Sequence, residues 1–273
     1  VIIGGAMSIL SKIIRTAVPI PKVESFDRYL FIGPHPDDIE IGAGATAAKL
    51  AALGKKVTFL VCLDGRYGLE NAPEETTSEE LIEIRKKEAV ASAKMLGVSD
   101  VRFLGLSDGG FYRTGLEGGE IPDEGSLLAK MARIIGEVHP DIIFATDPDV
   151  KSECHTDHIN IGECAKRLAF FAPFEDIMAK FGAENAQVNA IAFYMTGRPN
   201  CFVKTKGLLK KQFDAIFECH KSQYPEGCPD IDSLKLYINL RAFFFGLRSF
   251  KGQAEGFRVL GRTHMHCLPE AGK

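Results

Sequence analysis

A chain of 273 residues and 29.9 kDa is long enough for one large α/β domain with a full core, or at most for two small ones. Hydrophobic residues make up 45% and charged residues 25%, an ordinary globular balance that excludes a disordered or fibrous chain. The formal net charge of −3 and pI near 6.2 offer no basic surface for nucleic acid or anionic lipid, so the expected partner is a small molecule.

Residues 1–6 precede Met7 and could be tag residues. Ile9, Leu10, Ile13 and Ile14 recur at helical spacing, so residues 8–16 are expected to form a short amphipathic arm that packs on the domain or on another subunit. Lys12 and Arg15 interrupt the apolar stretch 1–20, which falls short of the ~18 uninterrupted apolar residues of a membrane span. Strand-like and helix-like segments then alternate. Strands are expected at 29–32, 57–63, 101–104, 141–145 and 189–195, with helices at 39–53, 78–96 and 126–138. Gly54 and Gly97 stand where helix C-caps belong, and Thr77 with Glu80 has capping-box spacing. A helix at 156–171, a strand at 201–203, helices at 207–220 and 232–250 and a last strand at 257–260 complete the chain. The pattern is that of βαβ units: a Rossmann-like, mostly parallel sheet flanked by helices, in a single domain with a C-terminal extension. We divide it as an arm at 1–26, a domain at 27–262 and a tail at 263–273. The connections 65–76 and 105–125 follow strands and are long, as the walls of a substrate pocket would be.

Two polar clusters carry the chemistry. Pro34-His35-Pro36-Asp37-Asp38 lies between the first strand and its helix, and His155-Thr156-Asp157-His158 follows a later strand in the same way. Open α/β sheets bind ligands at the carboxyl ends of their strands, so the two clusters can meet. Zinc in a hydrolase takes three nitrogen or oxygen ligands and leaves a place for water; His35, Asp38 and His158 would supply that set. Asp37, Asp157 and His155 are then left for acid–base work, with Asp157 placed to fix the tautomer of His155. Gly42-Ala43-Gly44 lacks a dinucleotide fingerprint or a P-loop lysine and reads as close helix–strand packing. Cys154 would have to point the same way as residues one and four further on to act as a ligand, and His139 reads as a helix end whose cationic ring suits the dipole. Thr263-His264-Met265-His266 could form a second metal site if its two histidines alternate on a strand. Seven cysteines with no CxxC pair, in a chain this long, read as free thiols of a cytoplasmic protein.

These two clusters, together with Arg85-Lys86-Lys87-Glu88 and Met95-Leu96-Gly97-Val98, resemble the zinc-dependent de-N-acetylases of the PIG-L or LmbE-like family over residues 27–262. Asp64-Gly65-Arg66-Tyr67-Gly68, the stretch Tyr194 to Asn200, the stretch His220 to Glu226 and the stretch Ala254 to Val259 look most like its diacetylchitobiose deacetylase branch. The resemblance implies one zinc per subunit on His35, Asp38 and His158, with Asp37 as general base, His155 stabilising the oxyanion or acting as acid, and Asp157 orienting it. It further implies that Arg85 and Asp108 contact sugar hydroxyls and that His266 reaches a neighbouring subunit's site in a homo-oligomer. The implied activity is removal of acetyl from an N-acetylglucosamine unit of a chitooligosaccharide or small conjugate. The alternatives are a deacetylase of N-acetylglucosaminyl malate or inositol in thiol-cofactor synthesis, and a sugar-binding α/β protein without turnover. Asn160 and the glycine content of 109–124 depart from the family pattern and bear on the choice of sugar.

Overall fold

The computed structural model describes residues 16–119, 122–266 and 268; the amphipathic arm expected at 8–16 falls almost wholly outside them. The strands are β1 (Arg28–Gly33), β2 (Lys56–Leu63), β3 (Asp100–Leu106), β4 (Ile142–Thr146), β5 (Ala190–Tyr194), β6 (Cys201–Lys204) and β7 (Ala254–Gly261). The helices are α1 (Asp38–Ala52), α2 (Ser78–Leu96), α3 (Leu127–Val138), α4 (Thr156–Phe171), α5 (Glu175–Lys180), α6 (Leu209–Phe217) and α7 (Asp230–Ser249). One sheet of seven strands has the order β3-β2-β1-β4-β5-β7-β6. Strands β3, β2, β1, β4 and β5 are parallel to one another, and β7 runs antiparallel to both β5 and β6.

Of the parallel strands, β1, β2, β4 and β5 are buried on both faces, which is why they read as continuous apolar runs, while β3 at the edge is half-exposed. Leu30 and Ile32 of β1 face one core with Met131 and Ile135 of α3 and Ile161 and Leu168 of α4. Tyr29 and Phe31, one residue out of phase, face the other core with Ile39, Ala43 and Ala47 of α1. There Phe31 stacks on Phe144 of β4 with ring centroids 4.2 Å apart. Thr77 and Glu80 form the expected capping box on α2, and Gly97 ends that helix at φ 96°. His139 ends α3 in the left-handed region, with its ring 3.2 Å from Glu184. The short helix α5 was not foreseen, because six residues carry too little periodicity to distinguish a helix from a loop. Residues 263–266 form a turn after β7, not the strand that a second metal site there would need. His264 is tied there through both ring nitrogens, Nδ1 to the Gly261 amide at 3.3 Å and Nε2 to the Val18 carbonyl at 3.2 Å, so it forms no metal pair with His266.

The chain passes from one side of the sheet to the other between β1 and β4, which are adjacent and parallel. This switch point opens a crevice at the carboxyl edge between the two strands that carry the polar clusters. Close packing beneath it depends on Gly42: a Cβ there would meet the Tyr194 ring at 2.2 Å, whereas at Gly44 the nearest atom would be Gln212 Cγ at 3.2 Å. Gly42→Ala should therefore cost about 1–3 kcal/mol through overpacking and lower the melting temperature by several degrees, with Gly44→Ala much milder. Equal melting temperatures for the two variants would contradict this packing.

Candidate metal centre and active site

At the end of β1 the chain turns tightly, with the amides of Asp37 and Asp38 both donating to the His35 carbonyl at 2.9 and 3.4 Å. Helix α1 starts at Asp38, whose carboxylate accepts the His35 backbone N–H at 2.8 Å and lies 3.1 Å from His35 Nδ1. Its other oxygen is 3.5 Å from His158 Nε2. The second cluster sits on the first turn of α4, with His155 as its N-cap. Thr146, the last residue of β4, donates its hydroxyl to the His158 carbonyl at 2.8 Å and so ties that turn to the sheet edge. The rings of His155 and His158 stack at 4.7 Å, and His35 lies 4.9 and 5.7 Å from them. Among the described residues, His35, His155 and His158 form a group whose candidate ligand atoms all lie within 4.8 Å of one another. Asp38 lies against two of the three.

Asp157 is fully buried and does not pair as expected. Its Oδ2 lies 3.2 Å from His35 Nε2 but 3.9 Å from His155 Nδ1, so it orients His35 in this structure and leaves His155 without that hydrogen bond. The Gly109 and Gly110 amides donate to its two oxygens at 2.8 and 2.9 Å, and the Tyr112 hydroxyl adds a third bond at 3.0 Å. Both glycines are left-handed, at φ 75° and 79°, so the loop needs glycine to aim two successive amides at one carboxylate. Asn160 donates to the Tyr112 hydroxyl at 3.4 Å, which gives this departure from the family pattern a supporting role.

The cluster is strongly acidic, and its titration reflects that. Burial pulls the His35 imidazole down, but hydrogen bonds to Asp157 and Asp38 outweigh it and raise the ring to about 10. His158 is likewise raised, burial being outweighed by the Asp38 charge. Burial pushes Asp38 up, yet the two imidazoles bring it well below the usual carboxylate range, and Asp157 falls to about 2 for similar reasons. His155 is half exposed and shifts the other way, lowered by burial and by the positive charge of its two neighbours. It is neutral at pH 7.

Asp37 faces a cavity of about 330 Å³ walled by all three histidines, Tyr67, Arg85, Asp108 and Gln223. Its carboxylate accepts from Arg85 Nη2 at 3.3 Å and from the Tyr224 hydroxyl at 3.4 Å. Arg85 is 4% exposed and also donates to the Gly65 carbonyl at 3.2 Å, while its Nε has no partner. Asp108 accepts the Tyr67 amide at 3.4 Å through one oxygen; the other is buried and unbonded. Burial raises its carboxyl. Cavities of about 510 and 520 Å³ elsewhere on the domain gather no histidine, so size alone would point away from this site.

Of the expected site residues, His35, Asp37, Asp38, Arg85, Asp108, His155, Asp157 and His158 come together here. His266 does not: its ring stacks on Phe170, at the far end of α4 from His155, with centroids 5.6 Å apart. Within one chain it is roughly 20 Å from the cluster at 1.5 Å per helical residue. Cys154 is exposed and directs its sulfur to the Ser152 carbonyl at 3.7 Å, away from a ligand position. Glu153, Tyr112, Gln223 and Tyr224 were missed; only Gln223 and Tyr224 lay in a stretch singled out by resemblance.

A doubly wound sheet with a histidine–aspartate cluster at its switch point defines an α/β enzyme scaffold with a group of side chains that could hold a metal ion. Residues 30–169 match the family described as PIG-L: GlcNAc-PI de-N-acetylase. The chain is 30% identical to a diacetylchitobiose deacetylase of Thermococcus kodakarensis over 89% of this chain and 87% of that protein. It is 36% identical to a 1D-myo-inositol 2-acetamido-2-deoxy-alpha-D-glucopyranoside deacetylase of Streptomyces scabiei, over 58% of this chain and 52% of that one. In three dimensions it superposes on the N,N'-diacetylchitobiose deacetylase of Pyrococcus horikoshii, solved with an inhibitor, at a TM-score of 0.79 and 29% identity, covering 95% and 94% of the two chains. The chain belongs to the PIG-L de-N-acetylase family.

The residues present fit a divalent cation. Two imidazoles and a carboxylate converge from two elements, and the carboxylates beside His35 and His158 favour positive charge on both rings. Cation and proton must then compete for the same nitrogens. Because His35 and His158 are both raised, metal affinity should climb with pH until His35 gives up its proton near pH 10, roughly tenfold per unit for each proton displaced. Calorimetric titration of metal-free protein in two buffers of different ionisation enthalpy should show this proton release, and an affinity flat with pH would place the cation elsewhere.

Proposed function

We propose that the chain is a zinc-dependent N-deacetylase that hydrolyses the acetamido group of an N-acetylglucosamine unit, with diacetylchitobiose or a related chitooligosaccharide as substrate. The observation that carries the reading is Asp37: a carboxylate beside the cation cluster, facing the cavity, with donors from Arg85 and Tyr224 on its oxygens. His35, Asp38 and His158 are the proposed ligands. His155 is the alternative third donor by proximity, but its ring is half exposed and it is better employed on the substrate. Bound zinc would supply Lewis acidity, making water acidic near neutral pH and polarising the amide carbonyl. Asp37 accepts the proton of the attacking water, and Arg85 and Tyr224 hold its carboxylate in place. The neutral His155 ring donates a hydrogen bond to the oxygen of the tetrahedral intermediate. The proton taken by Asp37 passes to the amino-sugar nitrogen as the C–N bond breaks, giving acetate and the free amine. Arg85 can donate to and Asp108 accept from sugar hydroxyls; the unbonded Arg85 Nε and Asp108 oxygen support these roles.

Two further readings stay open to test. The inositol-conjugate deacetylases match only about half of this chain, whereas the diacetylchitobiose deacetylase matches nearly all of it, which favours the oligosaccharide. A binder without turnover has no need of a base at the position of Asp37. Acetate release from diacetylchitobiose, N-acetylglucosamine and N-acetylglucosaminyl malate and inositol, with and without chelator, separates the three. Asp37→Asn should retain zinc and lower kcat by about 10²–10⁴ with KM much less affected. Near wild-type turnover in that variant would sink the mechanism.

We also propose a homo-oligomer in the cytoplasm. Helix α7 packs Ile238, Ala242 and Gly246 inward, while Leu236, Leu240, Phe243, Phe244 and Leu247 form an exposed stripe at helical spacing on its other side. The free cysteines support a reducing compartment, and among the described residues no helix is long and apolar enough to cross a membrane. His266 can serve a substrate only in a second copy's cavity. Light scattering should find an assembly, and removing residues 262–273 should lower activity; a fully active monomer would dismiss the idea.

A further inference from the structure

We infer that Glu153 is the positioning residue of the cation site, the carboxylate that sets the tautomer and orientation of His158; this rests on the assignment of His158 as a ligand. His158 presents Nε2 toward Asp38, 3.5 Å away, on the side where His35 also stands. A ring that ligates through Nε2 must carry its proton on Nδ1, and a buried N–H requires an acceptor. His158 Nδ1 is buried and has no hydrogen bond of good geometry. The Oε2 atom of Glu153 lies 3.4 Å from it, close enough that a small rotation of the ring on binding a cation would make the bond. Glu153 is itself held for this task, since its Oε1 accepts the backbone N–H of His155 at 2.8 Å. One carboxylate thus spans the start of α4, fixing the backbone at its N-cap and facing the ligand ring one turn further on. The helix dipole favours a negative charge at that end. The side chain is 27% exposed against 15% for His158, so it screens the ring's outer edge from water.

Glu153 has no place in the donor set and does not line the substrate cavity. Its effect should therefore appear in cation affinity and not in substrate affinity. Removal of such an outer carboxylate typically costs 10–100-fold in metal binding. Metal-free protein is titrated with Zn²⁺ against a chromophoric chelator, with no substrate present, for wild type, Glu153→Ala, Glu153→Gln, His158→Ala and the double variant. Glu153→Ala should bind zinc about 10–100-fold more weakly. Glu153→Gln, which keeps an acceptor without the charge, should recover part of the loss. In the His158→Ala background the Glu153 substitution should have no further effect, because the carboxylate acts through that ring. Melting curves in chelator show whether the metal-free fold is unchanged; a merely structural role would lower them and would persist in the double variant. The KM for diacetylchitobiose at saturating zinc should stay within about twofold in Glu153→Gln. Wild-type zinc affinity in Glu153→Ala, or full additivity in the double variant, overturns the inference. Wild-type affinity in His158→Ala instead overturns the ligand assignment on which it rests.

Discussion

Four aspartate side chains, Asp37, Asp38, Asp108 and Asp157, converge on one partly buried space, and the negative charge they concentrate has to be balanced. Much else in the crevice can be read as a response to that demand. Two of the three histidines hold protons tightly, Arg85 is buried against Asp37, and two loop glycines turn their amides onto Asp157. A buried carboxylate is tolerable only when cations or N–H donors surround it. The arrangement stores a preference for positive charge at the point where the proposed ligands meet.

The sheet makes this concentration affordable only because it is stiff and dry. Strands β1 and β4 are buried on both faces, so the turns that follow them are anchored by the most rigid part of the fold. The parallel order places their carboxyl ends side by side, and each polar cluster leads straight into a helix whose first turn favours negative charge. Loops from β2 and β3 then close over the crevice with Tyr67 and Asp108, and the segment after α6 adds Gln223 and Tyr224. The candidate cation centre is thus built on rigid elements, while the walls that would choose the sugar lie on loops, where a family can vary substrate without disturbing the chemistry.

The fold was largely legible along the chain. Apolar runs of strand length alternating with helical periods gave β1 to β4 and α1 to α4 to within one or two residues, because each element signals its own burial locally. The capping box at Thr77 and the left-handed Gly97 have local causes and were equally readable. What escaped the sequence was short: α5 is a helix too brief to show a period. The donor types at the candidate centre could be named in advance, since histidine and aspartate at two strand ends admit few other readings.

The pairings among those residues could not be named. Asp157 lies two positions from His155 in sequence yet serves His35, because the first turn of α4 points its side chain back across the crevice. Arg85 was expected on the sugar and is found on Asp37, and Glu153, with no motif to announce it, stands behind His158. Sequence by itself determined the elements, their layering and the chemical types at each strand end, all of which follow from periodicity and residue chemistry within a few positions. The tertiary structure alone decided which acid faces which base, because these contacts join residues up to 187 positions apart and turn on side-chain direction.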